Sequence, residues 1–138
     1  MSGAPDAAAI DTLLVAVGAV PGAWLRFAMV NHLAPRLPRR PWATLAVNVL
    51  GCALMGLLVA YVLAHPARHL LWRPFLGVGV LGGFTTFSAF AADAALLADQ
   101  GAGTTSAAYV VATLAGGLLA LWGGTSLGRS LRRRRPVT

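Results

Sequence analysis

With 57% hydrophobic residues and only 11% charged ones over 138 positions, the chain falls well short of the roughly 25% charge of a soluble domain. That balance excludes an ordinary soluble globule and points to an integral membrane protein. The eleven basic residues are all arginine and oppose four acidic ones, for a formal net charge of +7; they lie mostly in loops and a tail, which reads as topology-setting and headgroup-facing rather than nucleic-acid binding.

The N-terminal MSGAPDAAAIDT has no basic n-region, so no cleaved signal peptide is expected. A first apolar span then runs over about 12–33, interrupted by Arg26, Asn31 and His32. Gly18 and Gly22 form a GxxxG pair, which lets helices approach closely in a membrane. Pro21 removes a backbone donor, so a kink is expected there. Arg26 is the costliest polar residue in any span. It reads either as a functional charge or as a side chain snorkelling to the interface.

A loop rich in proline and arginine leads to a second span, about 42–64, without charge. Its length suffices to cross a hydrocarbon core of about 30 Å. Trp42 and Tyr61 fall near its ends, as an aromatic belt places them. Thr44 and Asn48 are four apart and share a face. A buried asparagine must find partners. It forms either a structural interhelical hydrogen bond or an amide donor for a dehydrated anion. The lone Cys52 lies in this run and cannot close an intrachain disulfide. His65 and His69 follow in a short basic loop. Their spacing could serve a metal, but Pro66 lies between them and no cysteine or carboxylate is near in sequence, so solvated loop histidines are the simpler reading.

The third span covers about 72–98 and contains GVGVLGGFTTFSAF, residues 77–90. Gly82 and Gly83 each weaken a helix by about 1 kcal/mol relative to alanine, and Thr85 and Thr86 follow directly. An interruption is expected around Gly82 to Thr86. In lipid, broken backbone is tolerated only inside protein or beside a polar cavity, and such ends are where ions bind. Phe87 and Phe90, three apart, share a face. The competing reading is a glycine-packed helix with core phenylalanines. Asp93 is either a pathway carboxylate or an exposed residue near the span end. A fourth span, about 106–127, carries Tyr109 and Thr113 on one face and a second GxxxG pair, Gly124 and Gly128. A basic tail, 129–138, closes a single four-helix domain spanning 1–138. No catalytic constellation is present, and no enzyme activity is expected.

GAVPGAWLRF in the first span, ATLAVNVLGCALMG in the second and GVLGGFTTFSAF in the third together resemble the small four-helix fluoride channels, the CrcB or Fluc family. The resemblance covers nearly the whole chain apart from its termini. It implies an all-α fold, an antiparallel dual-topology dimer, and two fluoride pathways built at the dimer interface. It implies that Phe87, Phe90, Asn48 and Thr44 line the pathway, with Tyr109 and Thr113 extending it. It further implies a structural sodium ion held by the main-chain carbonyls of Gly82 and Thr85, an oxygen-only site suited to a hard cation. Asp93 stands where glutamate is expected in many relatives, and Gly117 where a hydroxyl is common; both depart from the family pattern.

The implied activity is passive export of cytoplasmic fluoride across a bacterial-type plasma membrane. A negative-inside potential favours anion exit by about 2.3 kcal/mol per 100 mV. The implied partners are fluoride, the bilayer, and a second subunit that is identical or related. Two other readings stand beside this one. A small dual-topology proton-coupled multidrug exporter needs a carboxylate deep in the bundle, and the first two spans contain none. A membrane assembly factor would lack transport.

Overall fold

The computed structural model describes residues 7–37, 40–64 and 72–133. Helix α1 spans Ala7–Leu33 and ends in a single 3-10 turn, Ala34–Arg36. It continues through Pro21 without a break. Helix α2 spans Arg40–Ala64. Helix α3 has π-helical turns over Arg73–Leu81 and one α-turn over Gly82–Phe84. Helix α4 covers Phe87–Asp99, and α5 covers Gly103–Arg133. Four helical stretches are long and apolar enough to cross a membrane, with α3 and α4 forming the third. At about 1.5 Å per residue, the 31 residues of α5 exceed a hydrocarbon core of about 30 Å. Its last turns, with Arg129, Arg132 and Arg133, therefore continue as helix where the sequence reading places a tail.

The bundle is two tight helix pairs. Helix α1 packs on α3, and α2 packs on α5. Both pairs are made by glycine. On α1, Gly18 and Gly22 face the α3 backbone, and Gly79 and Gly83 answer from α3. A Cβ on Gly83 would stand 2.6 Å from the Ala19 carbonyl oxygen, and one on Gly79 would stand 2.9 Å from that of Val15. Between α2 and α5, Gly56 lies against Leu121 and Gly124 against Ala53. In lipid, where no hydrophobic force drives helices together, such close backbone approach gives the van der Waals contact that holds them.

The third span changes partner at its interruption. Its first half, α3, lies on α1; its second half, α4, lies on α5. The turn between α4 and α5 is a Schellman motif. Gly101, at φ 75°, takes the left-handed position that glycine adopts without a Cβ penalty. Ala102 N–H donates to the Leu97 carbonyl at 3.0 Å, and Gly101 N–H to that of Ala98 at 3.0 Å. Ser106 Oγ then ties the hairpin by donating to the Ala94 carbonyl at 2.7 Å.

Candidate functional site

The interruption falls at Thr85 and Thr86, whose backbones are extended at ψ 157° and 118°. The glycine pair lies one step earlier and is helical, because Gly83 is needed for the approach to α1. Thr85 closes α3: its N–H and its Oγ1 both donate to the Leu81 carbonyl, each at 3.0 Å. Thr86 opens α4 as its N-cap, with Oγ1 accepting from Ala89 N–H at 3.2 Å.

Asn48 holds the interruption from α2. Its Oδ1 accepts from Thr86 N–H at 2.9 Å, and its Nδ2 donates to the Thr86 carbonyl at 3.1 Å. The amide thus plays the part of a neighbouring backbone, and the interhelical pairing read as one option from the sequence is present. An amide nitrogen carries two protons, so one N–H of Asn48 remains to be offered elsewhere. Thr44, one turn earlier on α2, is buried.

These hydrogen bonds redirect two backbone donors. In a continuous helix Thr86 N–H would satisfy the Gly82 carbonyl; here it goes to Asn48. Ala89 N–H would satisfy the Thr85 carbonyl; here it goes to the Thr86 hydroxyl. The Thr85 carbonyl instead accepts from Arg26 Nη1 at 3.4 Å. Arg26 is half-buried and reaches the interruption rather than the interface. Gly18, Gly22 and Arg26 recur every four residues, so the α1 face that packs on α3 delivers the guanidinium there.

An aromatic row starts at the same point. Phe87 is 79% exposed, Phe90 is 9% exposed and Tyr109 is fully buried. The Phe87 and Phe90 centroids lie 5.7 Å apart, and those of Phe90 and Tyr109 lie 5.6 Å apart. Trp42 meets Tyr109 edge-on at 6.1 Å and 89°, so it joins this row as well as lying near the end of α2. Ring edges are electropositive. Beside the row, Asp93 faces Tyr109. Asp93 Oδ2 and Tyr109 Oη are both buried without a hydrogen-bond partner among the described residues. Thr113 Oγ1 donates back to the Tyr109 carbonyl at 2.8 Å, so its proton is committed within α5.

The structure therefore brings Asn48, Gly82, Thr85, Arg26, Phe87 and Phe90 to one interruption, with Tyr109, Asp93 and Thr113 along the row that leaves it. The roles of Thr86 and Trp42 go beyond the sequence reading. A threonine directly before an apolar helical run is an N-cap signal, and that signal locates Thr86. His65 and His69 lie outside the described residues. Among those described, no cluster of histidine, cysteine and carboxylate could hold a metal.

The arrangement defines a small helical membrane protein whose third span is broken and pinned by a half-buried amide. A family model described as "CrcB-like protein, Camphor Resistance (CrcB)" matches residues 13–125, and the chain belongs to that family. "Fluoride-specific ion channel FluC" of Agrobacterium fabrum is 44% identical over 88% of this chain and 98% of its own length. The protein of that name from Stutzerimonas stutzeri is 46% identical over 83% of this chain and 94% of its own. "Fluoride-specific ion channel FluC 1" of Synechococcus is 42% identical over 87% and 94%.

Proposed function

We propose that the chain is the subunit of a fluoride channel of the cell membrane, working as an antiparallel dual-topology dimer and carrying out no enzymatic reaction. The observation that carries this reading is the Asn48-pinned interruption opening onto a row of aromatic rings. A four-helix bundle has little room for a private pore, and the row begins at Phe87, which one copy leaves bare. A second copy would cover that ring and close the pathway. Fluoride would lose water and gain the remaining Asn48 N–H, the ring edges of Phe87 and Phe90, and the Tyr109 hydroxyl, with Thr44 beside the entrance. Directed donors of this kind replace a tightly held hydration shell in a narrow pore. The Arg26 guanidinium raises the local positive potential without lending a proton, since arginine stays charged.

The carbonyls of Gly82 and Thr85 fit a sodium ion. Both lose their helical partner at the interruption, and a hard cation takes oxygen ligands. Bound there, sodium would supply a fixed positive charge between subunits. Arg26 donates to the same Thr85 carbonyl, so a cation bound there would have to overcome the repulsion of the guanidinium or displace it.

Fluoride efflux from liposomes holding only the purified protein is the deciding experiment. Rapid efflux is expected, independent of a proton gradient. Efflux that requires a proton gradient would favour an exporter, and no efflux would favour an assembly role or a missing related subunit. Phe87→Ile and Phe90→Ile, which remove the aromatic edge, are each expected to slow efflux at least tenfold, about 1.4 kcal/mol or more of lost stabilisation, with the dimer intact. Replacing sodium with a bulky organic cation is expected to abolish activity.

A further inference from the structure

Because α2 belongs to one helix pair and α3 to the other, the two meet only sparsely. A groove of about 360 Å³ runs along that seam. Its walls are Met55, Leu58, Val59 and Val62 of α2 and Val78 of α3, and its floor is Gly77. Gly77 adds no side chain to the floor, and a Cβ there would meet Leu58 at an ordinary contact distance of 3.5 Å.

Of the described residues that line it, one is charged, Arg73, at the start of α3. Among the described residues Arg73 has no hydrogen bond or ion pair. A cation at a helix N-terminus opposes the helix dipole, so nothing in α3 itself accounts for the charge. Trp72, next to it, packs against Tyr61 at 6.2 Å between centroids, an aromatic pair of the kind found at headgroup level. The same end of the bundle carries Arg129, Arg132 and Arg133 at the close of α5, brought level with the last turns of α2 by the contact of Gly128 with Ala60. Asp11 is the described carboxylate at that end.

We propose that this groove holds one acyl chain of an anionic phospholipid, with its phosphate on Arg73. The apolar walls fit hydrocarbon, and a guanidinium at headgroup level, unpartnered among the described residues, fits a phosphate, which arginine can bind in a bidentate manner. A zwitterionic lipid brings its own ammonium and gains less. A second copy of the chain is the rival occupant; it would have to meet Arg73 with one of only four acidic residues. The inference does not depend on what the protein conducts.

Native mass spectrometry of the purified protein in a mild nonionic detergent tests it, with palmitoyl-oleoyl phosphatidylglycerol or the matching phosphatidylcholine added. The wild type is expected to bind phosphatidylglycerol about fivefold more tightly, the effect of one arginine near a charged surface. Arg73→Gln is expected to abolish that preference while phosphatidylcholine still binds. Arg129→Gln, on the same end but outside the groove, is expected to preserve it. Val59→Phe, at a partly exposed wall position, is expected to weaken both lipids, and Gly77→Leu to do so more strongly where it folds. Equal binding of the two lipids by the wild type overturns the proposal, as does an Arg129→Gln effect equal to that of Arg73→Gln. So does efficient linking of Val78→Cys between copies by a short bismaleimide, which would place a second subunit over the groove.

Discussion

On the proposed pathway Asn48 would do two jobs with one amide, and they can be separated. Its oxygen and one of its N–H groups hold the Thr86 backbone, and only the second N–H is left for an anion. Asn48→Ala leaves the backbone N–H of buried Thr86 unpaired, at about 1–3 kcal/mol, while the Thr86 carbonyl keeps the first helical bond of α4. A lower melting temperature together with lost fluoride efflux is expected. Asn48→Asp keeps the acceptor for Thr86 N–H but brings no amide proton; efflux is expected to fall at least tenfold, with a smaller loss of thermal stability than in Asn48→Ala. Along the row, the two hydroxyls of α5 are not equivalent. The Tyr109 hydroxyl has no hydrogen-bond partner among the described residues and lies beside the Asp93 carboxylate, whereas the Thr113 proton is already given to the Tyr109 carbonyl. Tyr109→Phe is therefore expected to slow efflux severalfold, and Thr113→Val to leave it within about twofold, which paired liposome assays would read directly. Equal losses in the two variants would show that Thr113 turns its proton toward the anion.

At the scale of elements, the third span is two half-helices with different partners, and the Thr86 cap fixes the start of the second. Loss of an N-cap hydroxyl costs about 1 kcal/mol, so Thr86→Ala is expected to destabilise the protein by roughly that amount while Thr86→Ser is expected to restore it; chemical unfolding in detergent would check both. Much of this architecture is legible in the sequence. Four apolar runs give four spans because lipid demands continuous apolar length, and the Gly18–Gly22 and Gly124–Gly128 pairs give the close helix contacts. The interruption is legible only to within a few residues. Glycine has two uses in a membrane helix, weakening it and letting another backbone approach, and the sequence alone does not say which applies. Gly83 serves the approach to α1, so the helix survives the glycines and breaks at the threonines. The π-helical turns over Arg73–Leu81 have no signature in residue type. The reach of Arg26 to Thr85 depends on how α1 docks on α3, and the meeting of Trp42 with Tyr109 on how α2 docks on α5. Such contacts belong to tertiary packing, not to a local pattern.

At the scale of the whole molecule, an antiparallel dimer requires that one chain insert in both orientations, and the arginines weigh against perfect balance. With four spans, the N-terminus, the second loop and the C-terminus share a side. That side carries Arg68, Arg73, Arg129 and Arg132 to Arg135, against Arg36, Arg39 and Arg40 on the other. The positive-inside rule counts arginines in short flanking segments, so the form with both termini in the cytoplasm is favoured. Three opposing arginines and the distal position of the tail keep that preference moderate. Single cysteines placed at each terminus, in a background where Cys52 is replaced by alanine, should therefore label from both faces of intact cells, with the termini-inside form in the majority. Changing Arg132 to Arg135 into glutamine removes four of the seven arginines on that side and leaves three against three. Labelling from the two faces is expected to become nearly equal, and efflux per reconstituted protein to rise as opposed pairs become easier to form. Labelling from one face only, combined with no efflux from the lone protein in liposomes, would exclude the homodimer. It would instead require a related subunit biased in the opposite direction, for which the excess of arginine on one side of this chain would be the matching half.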